Sequence, residues 1–413
     1  MKKLTVSRQV ATKIKQGQSL LEKQDFDSLP ALDQAVQLLS GDGQSLLEKQ
    51  DFESLPALNQ AVQLLSGDGK SLGVGYLSEQ NKGIGWFVSQ ELVTFDQDFF
   101  KKLFIKAKQY RRSYYADEKT TVFRLFNQEG DGFGGFTVDL YGEFVVFSWY
   151  NPFVFQIKET ILAAFQEAFP EVRGGYEKIR FKGLDYESAH VYGEEAPQEF
   201  LILENGVSYQ VFLNDGLMTG IFLDQHEVRG SLVEGLAAGK SLLNMFSYTA
   251  AFSVAAAMGG AVETTSVDLA KRSRELSEAH FVANGLALDA HRFVVMDVFD
   301  YYKYAKRHDL SYDVIVLDPP SFARNKKRTF SVAKDYHRLV SEALEILNPG
   351  GTLILSTNAA NVNKDKFKKQ IEKGFQGRKH RYVAEYGLPG DFRWNKKEES
   401  SNYLKVFTIR VDV

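Results

Sequence analysis

From about Leu201 to the C-terminus, short strand-like runs alternate with helical stretches, and three of the runs end in aspartate. The runs are Ser241–Phe246, Val262–Asp268, Arg292–Asp297, Tyr312–Asp318 and Gly351–Thr357, with a last one at Tyr403–Val411. Helical stretches fall near 249–259, 269–284, 300–307 and 332–347. A parallel strand pair needs a long crossover, usually a helix, so this alternation predicts a mostly parallel, doubly wound α/β sheet. Ligands of such sheets sit beyond the carboxyl ends of the strands, and those ends are where chemistry should be sought.

The first strand leads into Asn244-Met245-Phe246-Ser247-Tyr248-Thr249-Ala250-Ala251-Phe252. No G-x-G-x-x-G follows it, which leaves a dinucleotide cradle, and with it a nicotinamide-dependent dehydrogenase, poorly supported. Asp268 ends the second strand, where a carboxylate can accept from ribose hydroxyls, although capping a helix is the commoner role for a strand-end aspartate. Asp297 ends the third, with Val298 and Phe299 able to flank a flat ring. The fourth ends in Asp318-Pro319-Pro320-Ser321-Phe322. Two successive prolines fix φ near about −65° and remove two donors, so the Asp318 carboxylate and the adjacent carbonyls point rigidly into the cleft. An exocyclic amine or ring nitrogen of a planar base could be held there.

With 413 residues the chain has room for two or three domains. Its 44% hydrophobic and 25% charged residues are those of a soluble globular protein, and a net charge of −3 gives no global basic field. A local patch is nonetheless sufficient to bind phosphate. Cysteine is absent, which removes disulfides, thiolate metal sites and every cysteine-nucleophile mechanism, and the seven histidines show no metal-ligand spacing. The N-terminus lacks the apolar core of a signal peptide and no run is long enough to span a bilayer, so the expectation is a cytoplasmic protein with no membrane and no metal.

Three regions are expected. Residues 1–94 form a small β-rich module, with a hairpin signal at Ser66-Gly67-Asp68-Gly69-Lys70 and strand-like residues at 61–65, 71–77 and 83–89. Residues 95–199 form a compact α+β unit. It opens with a helix over Gln97–Tyr114 whose basic face includes Lys101, Lys102, Lys106, Lys108, Arg111 and Arg112. A strand at Thr121–Phe126, a glycine loop EGDGFGG at Glu129–Gly135, strands in Phe136–Trp149, a helix at Asn151–Phe169 and a polar, loop-like Gly183–Phe200 follow. Residues 200–413 carry the parallel sheet. The first module contains a tandem repeat: residues 18–43 read QSLLEKQDFDSLPALDQAVQLLSGDG, and 44–69 repeat them with changes only at Asp27/Glu53 and Asp33/Asn59. Two copies are too few for a solenoid, so one copy is expected to be surplus to the fold. Within each copy, the segment corresponding to Leu46–Phe52 has helical propensity.

Several of these motifs, in order along nearly the whole chain, resemble the class I S-adenosylmethionine-dependent rRNA large-subunit methyltransferase I-like family. Gly67-Asp68-Gly69-Lys70-Ser71-Leu72-Gly73 resembles the hairpin of its PUA-like RNA-binding module, and Glu129–Gly142 the family's E-x-D-G-L-P-G-x-x-x-D-x-x-G signature. Thr219–Gln225 resembles the entry to the catalytic domain, Asn244–Phe252 the N-x-F-S-Y-T-G-G-F cofactor loop, Asp318–Phe322 the D-P-P-x-F motif, and Asn402–Lys405 the start of the final strand. The resemblance implies a PUA-like domain, a small central α+β domain and a Rossmann-like methyltransferase domain. It also implies S-adenosyl-L-methionine as cofactor and RNA, specifically 23S rRNA, as partner; a homodimer stays open. Phe246, Ser247, Tyr248 and Thr249 would line the methionine part of the cofactor, and Asn244 would also bind it. Asp268 would take the ribose, and Asp297 and Val298 would meet the adenine. Asp318, Pro319, Pro320 and Phe322 would frame the methyl group and the target base, and Gln225 and Arg229 would close the pocket.

Two departures bear on the chemistry. Ala250 and Ala251 replace paired glycines, which alanine tolerates where φ is negative. Cytosine carbon-5 methylation needs a cysteine thiolate to attack carbon 6; here the segment after the fifth strand reads Leu355-Ser356-Thr357-Asn358, with Asn358 in that place. A ring nitrogen needs no covalent adduct. The sequence after Asp318, with Lys326, Phe330, Val332, Asp335, Tyr336 and Leu339, also resembles the related guanine-N7 rRNA methyltransferases. Guanine N7-type methylation is therefore favoured, the alternative being a non-catalytic RNA-binding assembly factor with a degenerate pocket. Arg324, Lys326, Lys327 and Arg328 follow the proline loop where the RNA backbone would pass, and Phe322, Tyr336 and His337 could stack on a flipped base. A second basic run at 364–381 reads more readily as a solvated helix face.

Overall fold

The computed structural model describes residues 1–22, 59–80, 83–324 and 329–412. The N-terminal sheet contains β1 (Lys2–Thr5), β2 (Leu20–Leu21), β3 (Gln60–Leu65), β4 (Ser71–Gln80) and β5 (Gly83–Ser89), in the order β1-β3-β4-β5-β2. A helix, Arg8–Lys15, starts at Ser7, whose hydroxyl accepts from the Val10 N–H, and it buries Val10 and Ile14 against Leu4, Val62 and Leu64. The predicted strands at 61–65, 71–77 and 83–89 are thus present. Most of the duplication, including the helical segment Leu46–Phe52, lies outside the described residues. β2 comes from the first copy and β3 from the second.

The central sheet joins β6 (Val122–Asn127), β7 (Phe136–Tyr141), β8 (Phe144–Trp149), β9 (Gly174–Ile179) and β10 (Ser188–Gly193) in the order β10-β9-β8-β7-β6. Helices Gln97–Tyr110 and Lys158–Ala168 cover one face through an aromatic core of Phe100, Phe104, Phe126, Phe136, Phe147, Trp149 and Phe165. The first of these ends earlier than predicted, because Arg111 leaves helical geometry. Its side chain turns inward rather than joining the basic face. The guanidinium forms a fully buried ion pair with Asp131, Nη2 to Oδ2 2.6 Å, and donates to the Asp391 carbonyl. A ribbon of β11 (Phe200–Glu204) and β12 (Val207–Val211) then packs between this sheet, at Val122, Tyr141 and Phe144, and Ala251 and Val254 of the following region.

The remaining strands are β13 (Ser241–Met245), β14 (Glu263–Asp268), β15 (His291–Val295), β16 (Tyr312–Leu317), the short pair β17 (Phe322–Arg324) and β18 (Thr329–Ser331), then β19 (Leu347–Thr357), β20 (His380–Tyr386) and β21 (Lys405–Val411). Seven of them form one sheet in the order β15-β14-β13-β16-β19-β21-β20, parallel except for β21, which runs antiparallel to both neighbours. From β13 the chain proceeds outward to β14 and β15, then returns to place β16 on the other side. That reversal opens a crevice at the carboxyl ends of β13 and β16. The basic run at 364–381 resolves into a helix, Lys364–Phe375, which buries Phe367, Ile371 and Phe375, followed by the start of β20. Its charges are a solvated face, with Lys364 paired to Glu385 and Arg378 to Glu345.

The position of β2 and β3 at opposite ends of the repeat makes a simple prediction. Deleting Gln44–Gly69 restores a single copy, in which Gln34–Leu39, identical in sequence to β3, takes its place, and cuts the connection from β2 to that strand to about a third of its length. A shorter connection between fixed ends has less closure entropy to lose, so the deletion should stabilise the fold by about 1 kcal/mol. Thermal unfolding of the two chains checks this; a lower midpoint for the deletion would show that both copies serve the fold.

Candidate active site

The crevice holds a cavity of about 420 Å³. Five strand ends, of β13, β14, β15, β16 and β19, and one entry segment build it. After β13 the chain makes a tight loop in which Phe246, Tyr248 and Ala250 adopt left-handed backbone, with φ of 60°, 50° and 59°. Side chains disfavour that region by about 1–2 kcal/mol per residue, so alternate left-handed residues persist only where neighbours fix them. Here they do. The Ser247 N–H donates to the Val267 carbonyl (3.0 Å), Tyr248 N–H to Asp268 Oδ2 (2.9 Å) and Ala250 N–H to the Ser247 carbonyl (2.7 Å). Thr249 Oγ1 donates to the Gly220 carbonyl (2.7 Å), and His280 Nδ1 meets the Thr249 carbonyl at 2.9 Å. Ala250 does not meet the condition of negative φ under which alanine is readily tolerated, being left-handed and fully buried, while Ala251 begins the helix Ala251–Met258.

Asp268 ends β14 with both oxygens engaged: Oδ2 accepts from Tyr248 and Oδ1 from the Ala270 N–H at 2.9 Å. A carboxylate has about four acceptor positions, so it retains capacity toward the cavity it lines. Asp297 caps the helix Val298–Arg307, accepting from the Phe299 and Asp300 N–H groups, and with Val298, Met296 and Phe299 it forms one wall. Asp318, Pro319 and Pro320 form another. Gln225 reaches in from the entry segment, its Nε2 donating to Asp318 Oδ1 (3.0 Å) and Ser356 Oγ (2.8 Å), while its Oε1 is buried without a donor. Burial raises the Asp318 carboxyl to about 6 against the opposing hydrogen bonds from Ser356 and Gln225.

Of the sequence-predicted residues, Gln225, Arg229, Phe246, Ser247, Tyr248, Thr249, Asp268, Asp297, Val298, Asp318, Pro319 and Pro320 all line this cavity. Three depart from the roles expected for them. Asn244 lies within β13 rather than at its end, fully buried, with Nδ2 donating to Ser253 Oγ. Arg229 touches the cavity, yet its guanidinium is committed to Glu204 of β11 through two contacts of 2.6 and 2.7 Å, and to the Phe222 carbonyl. Phe322 is 61% exposed and faces away; the alternation of β17 turns Ala323 inward instead. Tyr336 is core, with its hydroxyl on the Leu317 carbonyl. Lys326, Lys327 and Arg328 lie outside the described residues, and of Arg324 only the backbone, at the end of β17, is described.

The sequence reading gave no site role to Ile221, Phe222, Asp224, Phe252 or Leu269, which complete the wall. Ile221, Phe222 and Asp224 were within reach, since the Thr219–Gln225 segment carries them. Asn358, noted only as standing where a nucleophile would be, lines the cavity, and its Oδ1 accepts from Ser321 Oγ at 2.8 Å. Among the described residues no cluster could hold a metal ion, and no helix is long and apolar enough to cross a membrane.

A crevice at a sheet reversal, roofed by a strained strand-to-helix loop and walled by strand-end carboxylates, defines a class I methyltransferase. Comparison with known proteins agrees. Residues 176–389 match the model of the S-adenosylmethionine-dependent methyltransferases, and residues 41–90 that of a PUA-like domain. A Bacillus subtilis protein provisionally named ribosomal RNA large subunit methyltransferase YwbD is 40% identical over 99% of this chain and 100% of its own length. Ribosomal RNA large subunit methyltransferase I of Klebsiella pneumoniae is 30% identical over 76% of this chain and 80% of its own. A crystal structure of SMU.776, provisionally described as a methyltransferase and complexed with SAH, superposes with a TM-score of 0.90 at 55% identity, covering 100% of both chains. The chain belongs to the large-subunit rRNA methyltransferase I-like family of S-adenosylmethionine-dependent enzymes, with a PUA-like domain at its N-terminus.

The left-handed loop generates a specific test. Ala250→Val forces a branched side chain into a buried left-handed position and should lower the thermal midpoint by about 5 °C or more. Ala250→Gly trades packing for backbone freedom and should stay within about 2 °C of the parent.

Proposed function

We propose that the protein transfers the methyl group of S-adenosylmethionine to a ring nitrogen of a base in large-subunit (23S) rRNA, with guanine N7 the favoured atom. The observation that carries this reading is the absence of cysteine from all 413 residues. Carbon 5 of cytosine becomes nucleophilic only after a covalent adduct forms at carbon 6, which calls for a thiolate. The residue lining the cavity where that thiolate would stand, Asn358, is an amide held by Ser321. Guanine N7 has an in-plane lone pair and no hydrogen. Its methylation forms one N–C bond as one S–C bond breaks, moves a positive charge onto the purine, and transfers no proton. Alignment and exclusion of water are then most of what the protein must supply.

The chain's own residues fit the cofactor. Gln225 Oε1, buried in the wall without a donor, is available to an amino group, and the loop Phe246–Thr249 beside it suits the methionine end. Asp268 keeps acceptor capacity for ribose hydroxyls, and Val298, Phe299 and Leu269 offer flat apolar contact for adenine. The cofactor supplies an electrophilic methyl on a positive sulfur. Asp318, held by Gln225 and locked by Pro319 and Pro320, places a carboxylate beside the charge as it passes to the purine. Ala250 and Ala251 do not close the cavity, so the assembly-factor reading gains nothing from them. Phe322, exposed on β17, would stack on RNA, with Arg324, Lys326, Lys327 and Arg328 as the proposed phosphate contacts.

Two outcomes test this. Digestion of large-subunit rRNA methylated in vitro should yield 7-methylguanosine; 5-methylcytidine as the product would falsify the ring-nitrogen reading. With its carboxyl raised to about 6, Asp318 is ionised above that pH and protonated below it. kcat/KM should therefore fall as pH drops through about 6, and Asp318→Asn should remove that limb while lowering kcat by about 100-fold or more.

A further inference from the structure

The glycine loop EGDGFGG lines no part of the cofactor cavity, yet two of its glycines are fixed by close approach. A Cβ on Gly134 would collide with the Trp86 ring, and one on Gly130 with the Arg393 carbonyl oxygen, which also accepts from Asn127 Nδ2 at 2.8 Å. The loop thus seats an indole on one side and the Arg393–Trp394 backbone on the other. Asn395 pins the same segment from beyond, its Nδ2 donating to the Gly17 carbonyl at 3.0 Å. On this fixed backbone Arg393 and Lys396 are exposed and Trp394 partly so. The Arg393 guanidinium lies 4.9 Å from the centre of the half-exposed Tyr110 ring. Asp131, 3.8 Å from Arg393, is already committed to both ends of the Arg111 fork.

These side chains stand at the end of a line of concavities that starts at the methyl donor's site. Asn358 lines both the cofactor cavity and a second cavity of about 290 Å³. That second cavity shares Ala360 and Ser400 with one surface hollow and Glu129 with another, and Trp394 lines both hollows. Within the second cavity two buried donors have no acceptor, Trp86 Nε1 and Arg180 Nε. Buried donors ordinarily find partners, so this pair calls for acceptors that the chain does not itself provide. Of the carboxylates in that wall, Glu398 accepts from the Ser19 hydroxyl (3.0 Å) and Glu129 from Ser401 Oγ (2.6 Å).

We propose that the RNA strand on one side of the target base follows this line, from Asn358 past Trp86 and Arg180 to a base stacked on Trp394, with Arg393 and Lys396 on its phosphates. The proposal rests on large-subunit rRNA being the substrate, and not on which base atom receives the methyl. A base drawn out of its stack leaves a strand on each side. Phe322 and the basic residues after it would serve one flank, and this line, which begins at the shared wall of the cofactor cavity, serves the other. Phosphate, ribose and base oxygens make RNA rich in acceptors, which is what Trp86 and Arg180 lack. An exposed aromatic platform flanked by cations holds single strands without reading their sequence. The signature glycines of the central domain then act on the substrate side, by fixing the walls of its path.

The test uses the full chain with saturating S-adenosylhomocysteine and a single-stranded RNA of about 16 nucleotides. The chain has three tryptophans, of which Trp86 and Trp149 are buried. Trp394 emission, taken as the difference between the parent and Trp394→Phe, should be quenched by the single strand and unchanged by a duplex of the same length. Trp394→Ala should weaken binding of the single strand about tenfold or more. Arg393→Ala and Lys396→Ala should each lower the slope of log affinity against log salt by about 0.7, as the loss of one phosphate contact requires. S-adenosylhomocysteine affinity should stay within about twofold of the parent in all three variants. Unquenched Trp394, quenching by the duplex to the same extent, or parental affinity and salt slope in the three variants overturns the path. Parental methyl transfer to transcribed large-subunit rRNA by Trp394→Ala would sink the path and leave the reaction standing. A parent chain that transfers methyl to no RNA, with Trp394 unquenched, would remove both.

Discussion

A guanidinium with no access to water, that of Arg111, ties the central sheet to the catalytic one. It donates to both Asp131 oxygens, at 3.0 and 2.6 Å, to the Asp391 carbonyl, and to the Ala107 and Arg124 carbonyls, so its five N–H groups are well supplied. Asp391 in turn takes the Arg124 N–H on Oδ2 (2.7 Å) and pairs with His226 Nε2 through Oδ1 (2.9 Å). His226 is the neighbour of Gln225, which reaches into the cofactor cavity. Burial opposes a charge on His226, but the Asp391 carboxylate outweighs it and raises the imidazole's affinity for a proton. A buried pair of this kind adds little net stability over apolar packing, yet losing one partner costs about 3–5 kcal/mol. It functions as a register pin: the central sheet has one place to sit relative to the site.

Strain is concentrated where the cofactor loop turns. Three left-handed residues in five would unravel in isolation, and the loop is held from β14, the entry segment and the helix Arg272–Ala283 at once. Asp268 shows how economical that support is, since one carboxylate fixes the loop through Tyr248 and still faces the cavity. The second buried pair, Arg229 with Glu204, braces the entry segment against the β11–β12 ribbon in the same way.

β13, β16 and β19 were legible because parallel strands buried on both faces leave dense apolar runs, whereas β14 and β15 were legible from the strand–helix alternation and the aspartates that end them. The wall of the cavity was legible for the same reason. Other elements were not. β9 contains Glu177 and Lys178, both buried, which hid it; only the fold supplies Glu177 with Lys158 and Lys178 with the Gly216 carbonyl. β10 is a half-buried edge strand of mixed polarity and reads as loop. β20 was obscured by the basic residues around it, which face solvent. Asn244 was misplaced by treating a mid-strand residue as a strand end, and Arg229 because its partner, Glu204, belongs to an element the sequence pattern did not reveal. Phe322 was one residue out of phase with a strand too short to show its period.

The two cavities share Asn358 and otherwise have separate walls, the first from the strand ends of the large sheet, the second from the junction of all three sheets. They are nonetheless coupled, since Tyr403 in the second wall hydrogen-bonds Asp224 in the first. The first cavity is thus shaped mostly by one sheet, whereas the second changes shape with any shift of the three sheets against one another.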